Sequence, residues 1–410
     1  MIDFLAAPSP RWFTIAAHRP FLEDLADGVW RTLSPLDEDA VSRAVVLLPT
    51  RRAARSLAEA FLAVAGAKAV LLPQIRALGD LDEGEPPFEP GDLALDLPPA
   101  ISPGRRRFEL AGLAVANEHL IERKLDAGAA LEMADALAGF LDSCQIEEVD
   151  DPGAVKALVE GDLAQHWRRS ADFLSLALDA WPRRLAELGL MDQAARRVAL
   201  TRRLEARWRD HPTNDVLIAA GSTGSAPAAA DLLAAIAAAP RGCAVLPGLD
   251  KSLAEKAWDQ VDDQHPQGSL RRLLARAGLR RDQVRDWTSG RGAATDGRWR
   301  RRLINEALRP PEMTADWLDV IADLRREGAA TGVDSIAEGL KGLSVITART
   351  EEHQATAAAL LLREALEIPG RTAALITPDA ALARRVSARL ARWNIAADSS
   401  AGQPLADMLA

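Results

Sequence analysis

Three short turns carry the residue types best suited to holding an anion. Pro49-Thr50-Arg51-Arg52 follows the apolar run Val45 to Leu48, Gly221-Ser222-Thr223-Gly224-Ser225 follows Leu217 to Ala220, and Thr347-Ala348-Arg349-Thr350 follows Val345-Ile346. Each sits where an apolar run gives way to a helical pattern. In an open parallel sheet that place, the carboxyl end of a strand, is where ligands bind. The first amides of a helix, a threonine hydroxyl and two guanidinium groups together suit a phosphate backbone. At the first turn Thr50, Arg51 and Arg52 could therefore face an anion, and at the second the small residues could let the backbone approach a ligand. The plainer alternatives are a helix cap followed by solvated arginines at the first turn, and turn-forming glycine and serine at the second. Thr350-Glu351-Glu352 reads as a helix start with acids complementing the dipole.

Other chemistries lack their residues. No Gly-Lys-Ser or Gly-Lys-Thr occurs, so no lysine of the phosphate-loop type is present to grip a nucleotide. Ala219-Ala220 ends the strand where an active motor carries the acids for magnesium and water. The expectation is that this chain binds no cofactor. Cys144 and Cys243 stand far apart, and His18, His119, His166, His211, His265 and His353 include no pair at metal-ligand spacing. Asp80-Leu81-Asp82-Glu83-Gly84 lacks the later glutamate of a calcium loop, and no Gly-x-Ser-x-Gly elbow occurs. Arginine doublets such as Arg196-Arg197, Arg202-Arg203, Arg271-Arg272 and Arg384-Arg385 fall on helical patterns and read as solvated faces.

The elements that would position these turns alternate in type. Trp12 to Ile15 reads as a strand, and Phe21, Leu22, Leu25, Val29 and Leu33 recur at helical spacing behind it. Val45 to Leu48 is a second strand, ended by Pro49, with Ala54, Leu57, Ala58, Phe61 and Leu62 on one face of the next helix. Val70 to Pro73 is read as a third, and the acidic, proline-rich stretch from Asp80 to Pro103 as a surface loop. From Arg105 to His211 the pattern is helical: Met133, Leu137, Phe140 and Cys144 share a face, and Leu163, Trp167, Leu174, Leu178, Trp181, Leu185 and Leu188 form a longer stripe. Strands resume at Val216 to Ala219 and Cys243 to Leu246; a loop-like run follows from Thr288 to Gly297, and further strands are expected at Leu343 to Ile346 and Ala373 to Ile376. Strand and helix in alternation imply an α/β fold with parallel pairing.

Three regions are therefore expected: a discontinuous α/β domain over 1–104 plus 212–290, a helical insert over 105–211, and linker helices with the start of a second α/β domain over 291–410. A chain of 410 residues, 48% hydrophobic and 27% charged, has ample material for such cores. Only six of its 50 basic residues are lysines, a bias read as genomic base composition. The net charge of −9 excludes a surface coated in positive charge, so a nucleic-acid site must be a local patch or channel. Met1 to Pro10 has no basic start, and no stretch reaches about 18 uninterrupted apolar residues, so a cytoplasmic protein with no membrane partner is expected.

Five segments, in order, carry a family likeness: Val45 to Leu57 (VVLLPTRRAARSL), Leu217 to Leu233 (LIAAGSTGSAPAAADLL), Val245 to Asp250 (VLPGLD), His265 to Leu274 (HPQGSLRRLL) and Gly370 to Ile395, with Ser400 to Leu405 near the end. Together they resemble AddB, the second subunit of the bacterial AddAB helicase-nuclease, in its alphaproteobacterial form. The resemblance implies a helicase-like (RecA-like) fold of the P-loop NTPase type and a role in double-strand break repair by homologous recombination. It implies a heterodimer with an AddA-type motor subunit that carries the ATP and magnesium, single-stranded or forked DNA as the other partner, and a DNA-contact role for Thr50, Arg51, Arg52, Ser222, Thr223, Ser225 and Thr377. In the family a nuclease domain with an iron–sulfur cluster follows, and this chain stops before it, so the sequence reads as a truncated piece of such a protein. The turn after the first strand, Ala16-Ala17-His18-Arg19-Pro20, departs from the family branches that keep a phosphate loop there. The rival expectations are an ATPase with an unconventional loop around Gly221, and a purely structural partner subunit.

Overall fold

A computed structural model describes residues 4–37, 39–66, 70–78, 93–94, 96–118, 124–149, 176–290 and 297–400. The chain divides into two compact units, 1–339 and 340–410. The first is built on six parallel strands: β1 (Trp12–Ile15), β2 (Val45–Leu48), β3 (Gln74–Ala77), β4 (Leu217–Ala220), β5 (Gly242–Pro247) and β6 (Arg285–Asp286), in the order β3-β2-β4-β5-β1-β6. The first two strands have the bounds expected from their apolar runs. The third does not: Val70 to Pro73 precedes the strand, which is the half-exposed Gln74–Ala77 at the sheet edge. An edge strand with water on one side needs no continuous apolar run, so hydrophobicity does not mark it.

Period-two alternation splits the strand residues between two cores. On one face Phe13, Ile15, Val46, Leu48, Ile218 and Val245 meet helix α1 (Phe21–Leu33) through Leu25, Val29 and Leu33, and α2 (Arg51–Ala65) through Leu57 and Phe61. On the other, Trp12, Val45, Leu47, Leu217, Ala219 and Leu246 meet three later helices. The helical insert comprises α3 (Pro103–Ala116), α4 (Ala127–Ile146), α5 (Trp181–Leu188) and α6 (Gln193–Asp210). Leu204 and Trp208 of α6, Leu232, Leu233 and Ile236 of α7 (Pro227–Ala238), and Leu270, Leu273 and Leu274 of α8 (Gly268–Arg276) form the second core.

The insert has its own interior, in which Ile101, Leu110, Leu137, Leu141, Trp181 and Leu185 meet. At its centre Asp192 is fully buried, accepting from Trp181 Nε1 at 2.8 Å and Gln145 Nε2 at 2.7 Å and pairing with Arg106 Nε at 2.9 Å. A buried carboxylate is tolerated because each of these donors compensates its lost hydration. Of the expected long stripe, Leu163, Trp167 and Leu174 lie outside the described residues, as do His119, His166, Asp80 to Gly84 and Ala401 to Leu405.

Arg202 is not a solvated doublet member. It pairs with Glu148 and Asp231, and Arg276 grips Asp231 in a bidentate pair at 2.6 and 2.7 Å, so α6, α7 and α8 are tied through one carboxylate. The hydrogen bond from Arg276, then that from Arg202, holds the Asp231 carboxyl below its ordinary range. Helices α9 (Arg298–Ala307) and α10 (Trp317–Ala330) follow in the first unit.

The second unit corrects the expectation of a further α/β start. Among its described residues neither Leu343 to Ile346 nor Ala373 to Ile376 forms a strand, and Val345 is 87% exposed and Ile376 94%. Its core lies between two helices, α11 (Glu351–Leu366) and α12 (Ala380–Ala391), through Ala355, Ala359, Leu382, Val386 and Leu390. A β-strand needs a ladder partner and a face to bury, and among the described residues of the unit these two segments have neither.

Candidate nucleic-acid interface

The loops leaving the sheet turn to different faces. Those after β1 and β2 lead to α1 and α2 on one face, and those after β4 and β5 lead to α7 and α8 on the other. Where neighbouring strands send their chains to opposite sides, a crevice opens at the carboxyl edge. The strand order gives two such places, between β2 and β4 and between β5 and β1.

The β2/β4 crevice gathers six of the seven predicted residues. Val45 pairs with Leu217, Val46 with Ile218 and Leu47 with Ala219, so the Thr50 turn and the Gly221 to Ser225 loop leave the sheet side by side. Gly221 takes φ +76°, and a Cβ there would sit 3.4 Å from Phe21 and 3.5 Å from Pro49 Cδ, which places the two loops in contact. Thr50 caps α2, its hydroxyl oxygen accepting from Ala53 N at 3.1 Å. The Ser222 hydroxyl accepts from Gly224 N at 3.2 Å, and the Ser225 carbonyl accepts from Arg272 at 3.2 Å. Gly224, at φ +58°, packs where a Cβ would meet Leu273 at 2.8 Å. The cap and turn readings of these residues thus hold, and they fix the shape of the edge.

The charge on that edge runs against local preference. Arg51, Arg52 and Arg55 are exposed in the first turns of α2, and no acid is present in its first turn. The positive end of a helix dipole favours anions, so a helix start with no acid in its first turn suits an anionic ligand. Thr223 is half-buried and Ser225 exposed beside this turn. Thr377 belongs to the second unit, where its hydroxyl oxygen accepts from Asp379 N at 3.0 Å ahead of α12. It is a turn residue there and is not among the six that the sheet brings together.

At the β5/β1 switch the two exit loops touch. Gly248, at φ +61°, lies where a Cβ would be 3.1 Å from Ala17, and its amide donates to Ile15 O at 2.8 Å. Arg19 pairs with buried Asp24 and donates to Ser289 at 2.9 Å, and the hydrogen bond it donates to Asp24 raises the guanidinium's proton affinity. The Ser289 hydroxyl in turn donates to Asp24 at 2.9 Å. At β4 the two residues where motor acids would stand, Ala219 and Ala220, are buried. Cys243 is fully buried in β5, and burial pushes its thiol proton affinity up, the behaviour of a core residue.

Sequence reasoning missed the roles of two segments. Gln267 of the HPQG run accepts from Asp250 N at 2.9 Å and donates to Gly248 O at 3.1 Å, both within the VLPGLD run, so those two motifs interlock. Asp250 then caps the next turn through Ser252 N at 2.7 Å and Leu253 N at 3.2 Å. Neither run carries a local signal for these bonds, since their partners are remote in sequence. No helix among the described residues is long and apolar enough to cross a membrane. Neither the protein-family models nor the curated proteins contain a match to this chain.

Proposed function

We propose that this chain is the motor-inactive, helicase-like DNA-binding part of an AddB-type subunit, acting in double-strand break repair by homologous recombination beside an AddA-type motor partner. The observation that carries the reading is the β2/β4 edge, where a threonine-capped helix start with exposed Arg51 and Arg52 lies against the Gly221 to Ser225 loop. Such an edge offers amides, hydroxyls and guanidinium groups to a phosphodiester chain. The six-stranded parallel sheet is consistent with a RecA-like core, which is the finer part of this proposal.

ATP is not the favoured ligand for either crevice. The β2/β4 loop has no lysine, β4 ends in buried alanines, and the turn after β1, Ala16 to Pro20, has no lysine either. The test is a paired titration of the purified chain, alone and with an AddA-type motor subunit. Forked or single-stranded DNA should bind with steep salt dependence while nucleotide shows no heat of binding and no turnover. DNA-stimulated hydrolysis by the chain alone would overturn the motor-inactive reading.

A further inference from the structure

The two helices that begin beside the β2/β4 crevice start in opposite ways. Helix α1 opens with Phe21 and carries Glu23 and Asp24 in its first turn, whereas α2 opens with Arg51 and carries no acid there. Asp24 is buried and paired with Arg19, but Glu23 is exposed. Acids near a helix start already complement the dipole, so the α1 side suits a phosphate less well than the α2 side. The crevice therefore has a cationic side and an apolar one.

Phe21 is the apolar side. Its ring atoms Cε1 and Cζ lie 3.4 and 3.7 Å from the point where a Cβ of Gly221 would stand, and Pro49 Cδ lies 3.5 Å from the same point. One aromatic ring thus meets the exits of β2 and β4 at the backbone of a residue with no side chain. Leu25, Val29 and Leu33, further along α1, are fully buried, while Phe21 is packed against that core and still partly open to solvent. Trp12, Trp208, Trp258 and Trp287 of the same unit are buried, as core residues are. A ring anchored in a core, partly open, and next to guanidinium and hydroxyl groups has the composition of a single-strand site, where phosphates follow the charge and bases stack on rings.

We propose that Phe21 is the base-stacking residue of the β2/β4 edge: an unpaired base lies on its ring while the adjoining phosphate sits at the Thr50 to Arg52 turn. The inference rests on the DNA reading of that edge and adds to it the residue that tells a single strand from a closed duplex. A duplex keeps its bases stacked on one another, whereas a single strand has a base to lend to the ring whatever its sequence.

The test is titration of the purified full chain with oligo-dT, an abasic oligodeoxynucleotide of the same length, and a duplex. Wild type should bind oligo-dT about tenfold more tightly than the abasic strand. Phe21→Leu, which keeps an apolar side chain on the core, should lose that margin with duplex affinity and salt dependence unchanged, because stacking neutralises no phosphate. Phe21→Trp should restore the margin. Equal affinity of wild type for the two strands would overturn the proposal, as would a margin that survives in Phe21→Leu or fails to return in Phe21→Trp. The Arg51→Glu/Arg52→Glu variant, titrated in parallel, separates the two levels. If it weakens no ligand, the edge reading falls and the stacking with it; if it weakens all three while Phe21→Leu keeps the margin, the edge stands and the stacking alone is wrong.

Discussion

The turns at Thr50 and Thr350 are built alike and stand in opposite surroundings. Thr50 has φ −139° and ψ 155°, Thr350 φ −141° and ψ 158°, and each hydroxyl oxygen accepts from the amide three residues on, at 3.1 and 3.2 Å. Ahead of Thr50 lies β2, paired on both sides and buried on both faces; ahead of Thr350 the apolar run Leu343 to Ile346 is exposed and unladdered among the described residues. A helix start is written in a few neighbouring residues and forms in either setting. A strand is written only halfway, since its partner lies elsewhere in the chain.

The largest contrast should come from the apolar runs. Leu48→Ala opens a cavity in the α1/α2 core and should cost about 2–5 kcal/mol in the urea unfolding of the first unit. Val345→Ala removes an exposed group and should stay within about 0.5 kcal/mol. Equal losses would break the comparison by showing that Val345 is packed in solution. The caps should instead behave alike: Thr50→Ala and Thr350→Ala are each expected to cost about 1 kcal/mol, read as faster exchange in the first turns of α2 and α11. A cap that mattered at one site alone would show that tertiary setting, and not the local code, holds the other.

The smallest effect concerns the tie that gives the first unit its long-range order. Asp231 has a lowered folded pKa, so its pairing with Arg276 and Arg202 contributes stability that is present above the unfolded carboxyl value of about 3.9. That contribution is lost as pH falls from there through the lowered folded value. Asp231→Asn should flatten the urea midpoint against pH across that acidic window and leave its shape above about pH 5 unchanged. A wild-type slope retained in the variant would assign the acid sensitivity elsewhere.

Legibility followed the same division. Trp12–Ile15 and Val45–Leu48 were readable because central parallel strands are apolar on both faces, and the starts of α1 and α2 because helical spacing is local. Gln74–Ala77 and the two-residue β6 were not, because edge strands carry polar residues and borrow their identity from the neighbour they pair with. The turns that make up the candidate edge were visible singly. That Thr50 and Ser222 share a crevice, and that His265 and Gln267 join α9 to the β5 exit, depends on strand order and on contacts across tens of residues. Hydrophobic pattern carries no record of either.

The central claim is that the β2/β4 edge meets a phosphodiester backbone, and the salt dependence of DNA binding by the Arg51→Glu/Arg52→Glu variant tests it most directly. With the chain assembled on its motor partner, the plot of log affinity against log salt for forked DNA should lose about two units of slope, with affinity falling alike for all sequences. An unchanged slope and affinity in a folded variant would contradict the account and place the DNA, if it binds, on another surface.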